Sequence, residues 1–169
     1  NWAADQRTRY LADHLAVNHQ NWSLEYLTQL ERDIAFTDQR AWFFKDHLLS
    51  QIDESRLTPM AKRAFIKMRD WNELLTDQNA DGHYDDNGAG IFDLFFNALY
   101  AKLLAEKLGD FAWMSSSDST WTQSNLLKKA LFGQSWHDYL AGRDAREFVT
   151  EVFENTVKSA VGISDKLPE

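Results

Sequence analysis

Apolar residues recur three and four positions apart along most of the chain, the period of an amphipathic helix. The first such segment runs from about Ala3 to Val17 and carries a stripe of Tyr10, Leu11, His14 and Leu15. Polar Asn18 to Asn21 interrupts it, and Ser23 can cap a second helix with the stripe Leu24, Leu27, Leu30 and Ile34. A third stretch, Arg40 to Ile52, holds Trp42, Phe43, Phe44, Leu48 and Leu49. Thr58-Pro59 pairs a capping hydroxyl with a proline suited to the first helical position. The helix it opens presents Ala61, Ala64, Phe65, Met68, Trp71 and Leu75 on one face.

Periodicity stops at Thr76, and Asp77 to Gly90 reads as a loop of Asp, Asn and Gly. Ile91 to Leu108 is apolar on nearly every side, Leu94 included, which predicts an enclosed central helix ended by Gly109. A Ser/Thr-rich surface connection follows around Trp113 and Trp121, then a short helix from Ser124 to Phe132. The last long helix spans about Arg143 to Val161, with Phe148, Val152, Phe153 and Val157 turned inward. The prediction is an all-α fold: one helical domain over residues 1–163, a compact array of six to eight helices, and a frayed tail from 164 to 169.

Composition narrows the choice. Two Pro and seven Gly leave too little turn chemistry for a β-sandwich or barrel. At 169 residues the chain is long enough for one real core. A net charge of −8 and a pI near 5.1 argue against general binding of nucleic acid or anionic membrane. The absence of cysteine removes disulfides, thiolate metal sites and cysteine nucleophiles. No apolar run reaches the roughly 18 residues of a membrane span, and no signal peptide is visible. The start at Asn1 without an initiator Met suggests a processed chain or an excised piece.

Among candidate chemistry the 77–90 loop stands out. Asp77, Asn79 and Asp81 alternate, Gly82 follows, and Asp85 lies four beyond Asp81, the first half of a calcium loop with hard oxygen donors. The candidate calcium set is Asp77, Asn79, Asp81, His83 and Asp85. The position that carries a bidentate Glu in an EF-hand is Gly88, so the second half of the motif fails. The competing reading is a solvated connection whose Asp and Asn residues favour turns. His137-Asp138 prompts a comparison with two-metal phosphohydrolases, which would enlist His47 and Asp144 or Asp165 at poor spacing. His14 and His47 read as boundary residues, Trp42 and Trp71 as core, and Trp113 and Trp121 as candidate outside contacts.

In segment order the chain resembles the helical part of the β-chain of penicillin G acylase and related N-terminal-nucleophile hydrolases. Trp2 and Arg7 in WAADQR match the family's W-x4-R stretch, and TRYLADHL its following helix. NWSLEYLTQLERD is similar to its capped helix, and MRDWNELLTDQNADG to its L-x-x-W-D-G stretch with Asn72 in place of Asp. GAGIFDLFFNALYAKLL and KKALFGQSWHDYLAGRDAREFVTEVFENTVKSAVG are similar to the helices that close the segment. The likeness spans nearly all 169 residues.

The resemblance implies a helical subdomain excised from a larger α+β hydrolase, periplasmic or secreted. The parent would hydrolyse N-acyl amides through an N-terminal Ser, with the α-chain and remaining β-chain as partners. Asn1 is neither Ser, Thr nor Cys, so the isolated chain lacks the nucleophile and is expected to be inactive. Arg7 alone matches a residue that the family places at its active site, in a supporting role. The family's own calcium ligands lie elsewhere, so calcium at the 77–90 loop would be a separate site. The alternative is a stand-alone helical calcium-binding or protein-interaction domain.

Overall fold

A computed structural model describes residues 4–17, 22–105, 107, 109 and 127–164. Its helices, in chain order, are α1 (Ala4–Val17), α2 (Leu24–Phe36), α3 (Gln39–Gln51), α4 (Pro59–Asp70), α5 (Asn87–Tyr100) and α6 (Ala145–Ser164). A 3-10 turn, Glu54–Arg56, joins α3 to α4, a π turn, Ala101–Ala105, continues α5, and residues 127–131 form a short helix. Among the described residues there is no strand, only an isolated antiparallel bridge between Thr37 and Leu74. The all-α expectation holds.

Local chemistry sets the helix starts. The Ser23 hydroxyl accepts from the Tyr26 N–H, Asp38 from the Arg40 and Ala41 N–H groups, and Thr58 from Ala61 with Pro59 at the first turn. α6 opens on Asp144, whose carboxylate accepts from the Glu147 N–H at 2.9 Å. Asp86 caps α5 through Gly88, so α5 starts four residues earlier than Ile91 and takes 87–90 out of the expected loop.

α5 is the hub and packs most extensively on α4 and α6. Phe92, Phe95, Phe96 and Leu99 are fully enclosed, and Phe95 meets Phe153 of α6 edge-on at 5.0 Å. Phe148, Val152, Phe153 and Val157 are buried as expected. Leu94 departs from the enclosed-helix expectation, since it is 52% exposed on the one side of α5 that neither neighbour covers. The expected α2 stripe also buries less than its spacing suggests: Leu30 is enclosed, but Leu24 and Leu27 are exposed.

At Ala101 the hydrogen-bonding pattern widens into the π turn, and Leu103 and Leu104 within it are both enclosed in the core. α6 includes Ser164, the first residue of the expected tail, while 165–169 lie outside the described residues. No helix among the described residues is long and apolar enough to cross a membrane.

Candidate functional site

Arg7 sits on α1 one turn before Tyr10, and its side chain falls outside the described residues. The helix that carries it is anchored by aromatic contacts. Tyr10 is buried, stacks on the His14 imidazole at 4.0 Å between centroids, and meets Trp42 of α3 edge-on at 5.2 Å. The Tyr26 hydroxyl on α2 donates to the His14 carbonyl at 3.0 Å. Beside this anchor opens a polar cleft of about 290 Å³, lined by Tyr10, His14, Asp33, Trp42, Asn72 and Glu73 among others. His14 Nδ1 lies 2.8 Å from the Tyr10 carbonyl; donating there leaves Nε2 of the neutral ring as an acceptor.

The wall formed by Asn72 and Glu73 is tightly pinned. Glu73 takes a left-handed backbone (φ 62°) that costs a side-chain-bearing residue energy. Its carbonyl accepts from the Asp38 N–H, and its carboxylate pairs with the buried Lys45. The Lys45 ammonium also donates to the Trp71 carbonyl and approaches that of Arg69 at 3.5 Å, capping the end of α4 from α3. Next to it, Arg40 holds Asp38 through two nitrogens and Asp93 through a third at 2.9 Å. Burial alone would lower the Arg40 pKa, but hydrogen bonds and charge from Asp38 and Asp93 raise it above its ordinary value.

The acidic loop is a web of side chain to backbone hydrogen bonds. Asp77 accepts from the Asp81 and Gly82 N–H groups, Asp81 from His83, and both Asp85 oxygens from Gln78. Gly82 makes the sharp turn at φ 85°. His83 is exposed, and Asn79 bonds Asp81 at 3.0 Å. Gly88 explains the truncated motif: a Cβ there would lie 2.4 Å from Trp71 Cβ and 2.8 Å from the Lys67 carbonyl oxygen. The position that would carry the bidentate Glu is thus taken up by the close approach of α5 to α4. Among the described residues no group of three or more His, Asp or Glu side chains is placed to hold a metal ion. The loop's carboxylates are engaged by main-chain N–H groups instead.

The model of the family described as penicillin amidase matches residues 1–166. The chain belongs to the penicillin amidase family. Within this penicillin amidase chain the remaining candidates are dispersed. His47 lies edge-on to Phe132 at 5.7 Å, and His137 packs edge-on against Tyr139 at 4.6 Å. Asp138 is engaged by the Leu140 and Gly142 N–H groups and Asp144 by α6. Asp165, Trp113 and Trp121 lie outside the described residues. Trp71 is enclosed as expected, whereas Trp42 is half-buried at the α1 contact.

The Lys45–Glu73 pair was not foreseen from the sequence. Its signal lay one residue beyond Asn72, where the family's L-x-x-W-D-G stretch has Gly and this chain has Glu73 in the backbone region that Gly takes freely.

Proposed function

We propose that this chain is the helical part of a penicillin-amidase-type amidohydrolase, periplasmic or secreted, completed by an α-chain and the rest of the β-chain. An N-terminal Ser outside this chain attacks the substrate's acyl carbonyl while its α-amino group takes the hydroxyl proton. The tetrahedral oxyanion collapses, the amine leaves with that proton, and water releases the acid from the acyl-enzyme. In this reading α1 brings Arg7 to the rim of the catalytic centre, where its cation supports the oxyanion groups. The family match over residues 1–166 carries the reading, and the aromatic anchor that fixes α1 supports it.

Two measurements test it. The isolated chain should release no acid from a phenylacetyl amide, and turnover by it would overturn the assignment. In the complete enzyme, Arg7→Ala should lower kcat by about a hundredfold, the scale of losing one oxyanion-supporting donor. An unchanged kcat would remove Arg7 from the mechanism.

A further inference from the structure

Three cavities that adjoin through shared lining residues form a trough where α6 meets α4 and α5. Its floor is apolar: Met60, Ile91, Leu94, Ala98, Val157 and Ala160 line successive stretches of it. Met60 and Leu94 are 38% and 52% exposed, on a chain that encloses most of its other large apolar side chains in these helices. From Phe148 to Ala160 the trough follows α6 for roughly 18 Å, at 1.5 Å per residue.

The rim has the opposite character to the rest of the molecule. The chain carries a net charge of −8, yet Arg63, Lys67, Lys158, Lys102 and Arg143 border the trough. Its two rim carboxylates are engaged. Glu151 pairs with Arg143 at 2.5 Å, and Glu154 accepts from the Thr58 N–H and hydroxyl. Among the described residues Arg63, Lys67 and Lys158 enter no ion pair.

We infer that this trough receives an amphipathic helix of a partner polypeptide, apolar along one stripe and acidic along both flanks. Three or more turns of such a helix match the trough's length, its stripe covers Met60, Ile91 and Leu94, and its carboxylates meet the cationic rim. A second copy of this chain fits poorly: a two-fold contact sets the same patch against itself and brings cationic rims together. A bilayer fits poorly too, because a concave floor cannot insert and the overall charge opposes an anionic surface.

Fluorescence anisotropy with labelled synthetic helices tests the assignment on the chain itself, without reference to amidase activity. A 14-residue peptide, Leu at i, i+3, i+7 and i+10 and Glu on both flanks, should bind at least tenfold tighter than its Lys-flanked counterpart, about the scale of complementary against like charge. Salt should weaken that binding. Leu94→Glu and the double variant Arg63→Glu/Lys158→Glu, all at exposed positions, should each abolish the preference while leaving the circular dichroism spectrum unchanged. Equal binding of the two peptides, or binding of neither, overturns the proposal. So does concentration-dependent dimerisation, or partition onto phosphatidylglycerol vesicles, that Leu94→Glu removes.

Discussion

Replacing Glu73 by Gly does two opposing things, and their difference can be worked from the structure. The Lys45 side chain is 5% exposed and that of Glu73 25%, so removing the carboxylate leaves a cation enclosed with only main-chain carbonyls for partners. Breaking a buried pair costs about 3–5 kcal/mol, and the partial exposure of Glu73 together with the remaining carbonyls puts this case near the lower end. Against that, Gly accepts a φ of 62° without the roughly 1 kcal/mol or more that a side chain pays there. The expected net loss is about 2 kcal/mol, or roughly 4–8 °C in Tm for a chain of this size. Glu73→Gln keeps the strain and loses the charge, so it should lose at least as much. In Lys45→Met/Glu73→Gly the stranded cation is gone, and stability should return to within about 1 kcal/mol of the starting chain. Urea unfolding followed by circular dichroism gives the full cycle. A Glu73→Gly chain as stable as the parent, or single effects that simply add in the double variant, would show that the pair does not hold the wall of the cleft.

Gly88→Ala should destabilise by about 2–3 kcal/mol in the same assay, because its methyl meets the Trp71 Cβ and the Lys67 main chain rather than a movable side-chain tip. Calcium is expected at the Asp77–Asp85 loop only weakly, with a Kd above roughly 0.1 mM, since the oxygens must share backbone donors and Gly88 supplies no ligand. Isothermal titration reads this, and submicromolar binding would refute it. Asp53 sits below its ordinary pKa because the Ser55 hydroxyl and N–H donate to it, aided by Arg146 and Arg56. Its contribution is therefore complete above a pH of about 3.8 and lost as pH falls through its lower folded value. Asp53→Ala should flatten that acid limb in denaturation midpoints taken between pH 5 and about 2.

Features decided within a few residues could be read directly. Ser23 and Thr58-Pro59 cap helices where the sequence places them, because a cap needs only a hydroxyl and the N–H groups one turn on. The inward face of α6 was equally legible, since Phe148, Val152, Phe153 and Val157 keep one period. Lys45 was not. A lysine on an amphipathic helix reads as exposed, and only the return of the chain at Trp71, 26 residues later, supplies the acceptors that make its burial tolerable. Leu94 failed for the converse reason: periodicity says that a helix is apolar, not which neighbours arrive to cover it. The cleft beside α1 draws on four separate segments, so no local pattern announces it. Arg7 could be singled out through family resemblance alone, because an arginine near a helix start has no distinguishing chemistry of its own.

The π turn after Tyr100 carries a consequence for how the chain tolerates change in length. One surplus residue is accommodated between Ala101 and Ala105, where the widened turn absorbs it locally. Excising a single residue there would return the turn to regular helical bonding, whereas the same excision within Asn87–Tyr100 would turn the enclosed face of Phe92, Phe95, Phe96 and Leu99 by about 100°. Variation of one residue in length is therefore borne better at this turn than anywhere in the regular helix before it.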